Sequence, residues 1–293
     1  MSEYRPDHDT GGHTGRHHDA LDDVAALPGV AKPDPIVVVD GVRRRFGGVD
    51  AVDVAHLEVQ RNTITSLIGP NGAGKTTFFN LLTAFDQPDA GAWHLDGGSL
   101  AGIPAYRVAR KGMVRTFQLT KTLNRLTVLE NVMLAATDHP GETVRGALFS
   151  RWRGRERHVE AEARELLGRF GLSDKVDDYA GSMSGGQRKL LELTRAMMMH
   201  PEVIMLDEPM AGVNPALTQS ILEHIKALRD RDGKTVIFIE HDMDVVQEIS
   251  DWIVVLAEGR VIAEGRPADI AANEAVVAAY LGGHAANLAG GDR

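Results

Sequence analysis

Short apolar or alternating runs, separated by glycine-rich and polar turns, follow one another after residue 35. Runs of this kind that are rich in Val, Ile and Leu predict β-strands. The predicted strands are Ile36–Val39, Val52–Val59, Thr63–Ile68 and Ala92–Leu95. Residues 203–265 alternate strand runs with helical periodicity, which is typical of a parallel sheet. Residues 117–183 contain few strand signals, and with the helix that follows they predict a helical subdomain over about 117–200.

A glycine-rich turn stands between the strand ending at Ile68 and a predicted helix. It has the spacing G-x-x-x-x-G-K-[ST], and its residues are Gly69, Pro70, Asn71, Gly72, Ala73, Gly74, Lys75, Thr76 and Thr77. Glycines let successive N–H groups point at one anion, and the helix start adds a positive dipole end. Lys75 supplies a cation for the β- and γ-phosphates, and the Thr76 hydroxyl suits Mg²⁺. The turn therefore predicts a nucleoside triphosphate site.

A second chemical site is predicted where the apolar strand Val203–Leu206 ends in Asp207 and Glu208. We expect this strand to lie beside the strand that ends at Ile68, because ligands gather at the carboxyl ends of parallel strands. Asp207 is predicted to hold Mg²⁺ through its water shell. Glu208 is predicted to accept a proton from the attacking water, which is worth roughly 10²–10⁴-fold in rate.

The segment Ser184-Gly185-Gly186-Gln187 precedes another predicted helix. Ser184 occupies the N-cap position, and apolar residues follow it at helical spacing. Two glycines at a helix start favour a second anion-binding end. The chain is therefore predicted to carry two phosphate-binding helix ends that are far apart in sequence.

In their order along the chain, these motifs resemble those of the nucleotide-binding subunit of ABC transporters. Ser184–Gln187 match the signature motif, Gln118 the Q-loop and His241 the switch histidine, while Ala211–Asn214 stand at the D-loop. The resemblance covers about residues 36–265. It implies an α/β P-loop cassette with a mostly parallel core sheet, an antiparallel β subdomain and a helical subdomain.

The resemblance also implies a mechanism and partners. Two such subunits, identical or different, would pair head to tail, with each ATP between the P-loop of one and Ser184–Gln187 of the other. Glu208 would catalyse hydrolysis with His241 near the γ-phosphate. Gln118 would contact Mg²⁺ and link the γ-phosphate to the groove for the membrane subunit. The implied partners are two transmembrane permease subunits and, indirectly, an extracytoplasmic solute-binding protein, at the cytoplasmic face of the membrane.

Two positions depart from the commonest family pattern. Phe46 stands where an aromatic residue stacks on adenine, and a tyrosine is more usual there, so stacking is kept and a hydroxyl is lost. Asn214 replaces the usual D-loop aspartate. With Pro215 after it, Asn214 predicts a helix start.

Several short phrases are similar to the ATPases of branched-chain amino acid importers. They are Phe46–Val49, Arg115–Gln118, Leu126–Val132, Gly212–Pro215, Ile239–Met243 and Ala279–Gly282. This similarity implies an importer of branched-chain amino acids or of a related small solute such as urea or an amide. A lipid or polysaccharide exporter also uses a lone cassette and stays open. A soluble ABC ATPase acting on translation or DNA is less favoured, since such chains carry two cassettes or a long coiled coil.

Composition limits the remaining choices. The chain has 293 residues, 43% of them hydrophobic, which is enough for a globular core. No apolar run is long enough to span a bilayer, and no secretory segment follows the start. The net charge of −9 argues against broad nucleic-acid binding, and zero cysteines exclude disulfides and Cys-ligated zinc.

The two ends and one loop are predicted to lie outside the ATP-binding domain or on its surface. The domain is expected over residues 35–283, with tails at 1–34 and 284–293, the first of them disordered. His8, His13, His17 and His18 could bind a transition metal, although a solvated tail is favoured. Arginines between Arg145 and Arg157 predict a solvated basic loop or a contact with anionic headgroups or the membrane subunit.

Overall fold

The computed structural model describes residues 18–116, 123–137 and 152–280. Its strands are β1 (Pro35–Phe46), β2 (Val49–Gln60), β3 (Ile64–Ile68), β4 (Ala90–Leu95), β5 (Gly98–Ser99), β6 (Met113–Arg115), β7 (Val203–Asp207), β8 (Thr235–Ile239), β9 (Trp252–Ala257) and β10 (Arg260–Gly265). Its α-helices are α1 (Lys75–Leu82), α2 (Ala105–Arg110), α3 (Val128–Met133), α4 (Trp152–Arg169), α5 (Gly185–Met197), α6 (Pro215–Asp230), α7 (Met243–Ile249) and α8 (Pro267–Ala271).

The four strands predicted in the first part of the chain are all present, and two of them are much longer than expected. β1 and β2 each have 12 residues and form a hairpin in which Phe46 pairs with Val49. The apolar run of β1 ends at Val39, but the strand continues through polar residues that pair across the hairpin, such as Arg43 with Asp53. Cross-strand pairing therefore extends these strands beyond what the apolar pattern indicates.

The core sheet contains six described strands in the order β10-β9-β3-β8-β7-β6. β3 pairs in parallel with β8 and β9, and β7 pairs in parallel with β8 and β6. The expectation that β7 lies beside β3 is wrong, because β8 lies between them. Consecutive parallel strands joined by a helix are commonly neighbours, so the unit β7-α6-β8 brings β8 into that place. Ile239 pairs with both Leu67 and Asp207, which keeps the two strand ends level.

A second, antiparallel sheet has the order β2-β1-β4-β5. Its buried side chains, among them Val37, Val39 and Trp93, pack with Phe78 and Phe79 of α1 in one apolar cluster. The Asp53 N–H donates to the Gly259 carbonyl at 2.7 Å, which joins this sheet to the β9–β10 turn. The antiparallel β subdomain that the resemblance implies is present.

The described residues between 123 and 200 are mainly helical. α3, α4 and α5 pack around buried side chains that include Val132, Leu167 and Leu191. Thr127 begins α3 with a capping box, in which its hydroxyl accepts from the Glu130 N–H and the Glu130 carboxylate accepts from the Thr127 N–H. Gln118 and most of the predicted arginine-rich loop lie outside the described residues. Across the described ranges, no helix combines the length and apolar character that crossing a bilayer requires.

Residues 20–34, which we call the strap, pack against both sheets. Leu21 is 2% exposed, and the Glu264 carboxylate accepts from the Gly29 N–H at 2.5 Å and from Lys32 Nζ at 2.9 Å. The same carboxylate accepts from Trp252 Nε1 at 2.8 Å. The expectation of disorder throughout residues 1–34 is therefore wrong for the strap. Composition averages over the segment, whereas local contacts such as the buried Leu21 and the Glu264 carboxylate hold it in place. His8, His13, His17 and residues 284–293 lie outside the described residues.

Candidate nucleotide-binding site

The glycine-rich turn after β3 is held tightly by backbone from two other elements. A Cβ on Gly69 would lie 2.0 Å from the Leu256 carbonyl oxygen, and a Cβ on Gly74 would lie 2.2 Å from that of Ala51. Gly74 also has φ +98°, in the region that residues with a Cβ rarely adopt. Only glycine fits these two positions, and the turn is thereby set between β9 and β2. Its other side is open, since Asn71 and Gly72 are exposed.

The helix that follows this turn starts without a side-chain cap. Gly74 is the N-cap residue of α1, and its carbonyl accepts from the Phe78 N–H at 2.8 Å. Among the described residues, no side chain accepts a hydrogen bond from the first N–H groups of α1. Such an end carries a positive partial charge and donors for an anion. Thr76, the predicted Mg²⁺ ligand, is exposed in this first turn, and Thr77 is half-buried.

Lys75 folds back over the turn. Its Nζ donates to the carbonyl oxygens of Gly69 at 2.7 Å and Pro70 at 3.0 Å. Burial lowers the pKa of the Lys75 ammonium, and the charges of Glu208 and Asp207 oppose that change. The lysine and both predicted carboxylates are thus within electrostatic reach of one another, and a long flexible side chain can exchange carbonyl oxygens for phosphate oxygens.

Asp207 ends β7 and is 5% exposed. Arg115, the last residue of β6, donates from Nη2 to Asp207 Oδ2 at 2.6 Å. The sequence motifs assign no chemical role to Arg115, although a charge at the end of the short apolar strand Met113–Val114 is a usable signal. Carboxylate and hydroxyl oxygens are the ligands that Mg²⁺ prefers, so Asp207 and Thr76 fit that ion chemically.

Glu208 lies immediately beyond the strand with a left-handed backbone. Its φ is +47°, and its N–H donates to the Ile239 carbonyl at 3.0 Å, which extends the pairing of β7 with β8. A non-glycine residue in this region costs about 1–3 kcal/mol, and such residues cluster at functional sites.

His241 follows β8, and a buried carboxylate holds its backbone. The Glu240 side chain is 2% exposed; its Oε1 accepts from the Met210 N–H and its Oε2 from the His241 N–H, both at 3.1 Å. The His241 imidazole itself is 67% exposed. Glu240 connects the segment after Glu208 to the histidine loop, a role that the sequence motifs do not assign. A carboxylate between an apolar strand and the histidine was the available signal.

Phe46 lies at the tip of the β1–β2 hairpin and is 48% exposed. The Arg44 guanidinium is 4.7 Å from the centroid of its ring. The same hairpin contacts the glycine-rich turn, because Ala51 lies against Gly74. The fold therefore supplies an exposed aromatic ring on the hairpin that adjoins the predicted triphosphate site.

The start of α5 is closed by its own residues. Ser184 Oγ accepts from the Gln187 N–H at 3.3 Å, and Gln187 Oε1 accepts from the Ser184 N–H at 2.9 Å. Gly186 packs on α6, where an added Cβ would lie 1.6 Å from Leu217 Cδ2, while Gly185 has open space. In the described structure each of these two side chains accepts from the backbone N–H of the other residue, and neither hydrogen-bonds the glycine-rich turn.

The structure thus brings Lys75, Asp207 and Glu208 together at one edge of the core sheet, with His241 at the end of the intervening strand. Asn214 caps α6 as expected, since its Oδ1 accepts from the Leu217 N–H at 3.0 Å. A phosphate-binding turn before α1, an acidic strand end and a second sheet that contacts the turn define a P-loop nucleotide-binding cassette.

Comparison with known proteins agrees with this class. Residues 52–211 match the family model described as ABC transporter, and residues 260–286 match one described as branched-chain amino acid ATP-binding cassette transporter. The chain belongs to the ABC transporter family, and it is an ATPase of that family.

Two curated relatives and one solved structure are similar over most of their length. The chain is 42% identical over 250 residues to the high-affinity branched-chain amino acid transport ATP-binding protein BraF of Pseudomonas aeruginosa, covering 85% of this chain and 98% of that protein. It is 41% identical over 250 residues to LivG of Escherichia coli (strain K12), with the same coverage. The ADP conformation of an ATP-binding cassette of an ABC transporter has a TM-score of 0.74 at 33% identity, covering 85% of this chain and 99% of that one.

Proposed function

We propose that this chain is the ATP-binding and hydrolysing subunit of a membrane importer for branched-chain amino acids or a related small solute. The proposal draws its solute class from the names of the relatives and from the match at residues 260–286. The ATP-binding domain is assigned to residues 35–283, and the partners are two permease subunits at the cytoplasmic face of a membrane, with a solute-binding protein acting through them.

Within the site, we assign to each group the role that the family resemblance implies for it. The open end of α1 and the P-loop N–H groups bind the triphosphate, and Lys75 transfers its ammonium from the loop carbonyls to the β- and γ-phosphates. Thr76, Asp207 and Gln118 would hold Mg²⁺, which would supply positive charge to the phosphate oxygens. Glu208 accepts the proton of the attacking water, and His241 contacts the γ-phosphate. Phe46 stacks on the adenine.

In the proposed mechanism two chains complete this site, and the local cap at the start of α5 supports this. Ser184 and Gln187 bond each other and share no hydrogen bond with the P-loop in the described structure. We assign the signature end of α5 to the P-loop of a second cassette, identical or different, in the head-to-tail pair that the family resemblance implies. ATP binding favours the closed pair, and hydrolysis releases it.

Replacing Glu208 by Gln tests the catalytic assignment. The amide cannot act as a base, so we expect ATP turnover to fall roughly 10²–10⁴-fold while MgATP binding persists and the dimer accumulates. Turnover is measured by phosphate release, and the dimer by light scattering with and without MgATP. Wild-type turnover in the Glu208→Gln variant would show that another group is the base.

The transport assignment needs the assembled complex. We expect the chain to copurify with two permease subunits and to drive ATP-dependent uptake of leucine, isoleucine or valine into proteoliposomes that also receive the solute-binding protein. Uptake of urea or an amide instead would change the solute. Outward movement of a lipid or polysaccharide would replace the importer by an exporter.

A further inference from the structure

The Arg115 side chain lies where three elements of the site meet. It ends β6, and its guanidinium donates from Nη2 to Asp207 Oδ2 of β7 and from Nη1 to Asn80 Oδ1 of α1, both at 2.6 Å. The guanidinium carbon is 5.5 Å from the centroid of the Phe79 ring. The side chains of Arg115 and Asp207 are each 5% exposed. The planar fork of one arginine therefore joins the P-loop helix to the carboxylate at the end of β7.

In this pair Arg115 neutralises the buried Asp207 carboxylate, which the proposed function makes a ligand of Mg²⁺. A carboxylate removed from water needs a cation or several donors nearby, and its cost is large when it has neither. Lys75 and Asp207 share no hydrogen bond. The Lys75 ammonium donates instead to the carbonyls of Gly69 and Pro70. Among the described residues, Arg115 is the cation in hydrogen-bond contact with Asp207.

We propose that Arg115 is a positioning residue for Asp207. Its guanidinium compensates the negative charge of the Asp207 carboxylate while Mg²⁺ is absent, and the carboxylate interacts with both the guanidinium and Mg²⁺ when the magnesium nucleotide binds. The inference rests on the proposed role of Asp207 toward Mg²⁺. Arg115 also stands three positions before Gln118, so the same contact anchors the start of the Q-loop segment to α1 and β7.

Replacing Arg115 by Met separates charge compensation from packing. The unpaired Asp207 lowers the Tm of the metal-free protein by roughly 6 °C or more. It also attracts Mg²⁺ more strongly, since the guanidinium no longer compensates its charge. We therefore expect Mg²⁺ to tighten binding of a fluorescent ATP analogue about tenfold more in the variant than in wild type. The readout is the ratio of the Kd in EDTA to the Kd in Mg²⁺.

Two further variants serve as controls. Arg115→Lys keeps the charge, so its Kd ratio stays near that of wild type. Arg229→Met breaks a comparable pair remote from the site: Arg229 Nη1 lies 2.6 Å from Asp251 Oδ1, with the side chains 11% and 5% exposed, and Asp251 caps the first N–H of β3 at the opposite end of that strand. Arg229→Met lowers the Tm and leaves the Kd ratio unchanged.

Each outcome of these measurements either supports or overturns the proposed role of Arg115. An equal or smaller Kd ratio in Arg115→Met than in wild type would overturn the proposal and leave Arg115 a structural residue. If Arg115→Met does not fold, the double variant Arg115→Met/Asp207→Asn removes both charges and is expected to fold; its failure would equally overturn charge compensation. Mg²⁺-independent nucleotide binding in wild type would overturn the proposed metal role as well, which separates the two failures.

Discussion

The starts of α1 and α5 follow glycine-containing segments, and the sequence predicts a phosphate at both. The structure shows them to be different. The start of α1 has Gly74 at φ +98° as its N-cap and no side-chain cap among the described residues. The start of α5 has Ser184 in an extended conformation (φ −63°, ψ 162°) and a complete capping box with Gln187. One helix end is open to a ligand within its own chain, and the other is already satisfied locally.

This difference shows which parts of the chain determine the conformation of each helix start. The open end of α1 depends on distant backbone, since Leu256 and Ala51 press against Gly69 and Gly74. The capping box of α5 is made within four consecutive residues, and of its two glycines only Gly186 is pressed by another element, at Leu217 of α6. A serine that accepts one hydrogen bond still has its O–H proton to donate. The cap therefore fixes Ser184 and leaves its O–H free to donate to the phosphate of the proposed second cassette.

Replacing Gly74 by Ala is expected to have the largest effect on this comparison. The new methyl would lie 2.2 Å from the Ala51 carbonyl oxygen, and φ +98° is strained for any residue with a Cβ. Strain and overpacking together cost about 3 kcal/mol or more. We expect a lower free energy of unfolding in urea and loss of nucleotide binding, because the P-loop must shift away from β2.

Gly72→Ala is the matched control for that change. Gly72 also has positive φ (+82°), but nothing lies within 4 Å of an added Cβ. The strain alone costs about 1–2 kcal/mol. If Gly74→Ala and Gly72→Ala were equally stable, contact with β2 would not be what shapes the P-loop.

The same contrast explains how much could be predicted from the sequence. The P-loop, the acidic strand end and the caps at Ser184 and Asn214 are local patterns, and the structure contains each of them. The position of β8 between β3 and β7 depends on pairing among distant strands, so the motifs could not reveal it. The contact of Arg115 with Asp207 and the contacts of Glu264 with the strap are likewise long-range. Each depends on a buried charged group that composition and periodicity do not reveal.

Replacing Ser184 by Ala should have an intermediate effect. It removes the acceptor of the Gln187 N–H, which costs about 1 kcal/mol of unfolding free energy. Nucleotide affinity of the monomeric chain should stay at the wild-type value, because Ser184 does not contact the P-loop of its own chain. Turnover at dimer-forming concentrations should fall, since the hydroxyl faces the second cassette in the proposed pair.

Asn214→Ala provides the control, because it removes an equivalent N-cap from α6. It should cost a similar free energy. Weaker nucleotide binding by monomeric Ser184→Ala, with Asn214→Ala at the wild-type value, would place the signature serine in the site of its own chain and contradict the difference between the two helix ends.

Gly185→Ala should have the smallest effect on stability and isolates the function of the capped end. Gly185 lies in the first turn of α5 without a positive φ, and an added Cβ has open space around it. Alanine there should leave the free energy of unfolding unchanged or raise it by about 0.5 kcal/mol, because the unfolded chain loses freedom.

In the closed pair, however, the methyl would stand where the proposed partner triphosphate approaches the first N–H groups of α5. We therefore expect a stable chain that binds nucleotide normally as a monomer and hydrolyses it slowly at dimer-forming concentrations. Full turnover in this variant would mean that the space in front of Gly185 is not used by a nucleotide, and the start of α5 would then be a helix cap alone.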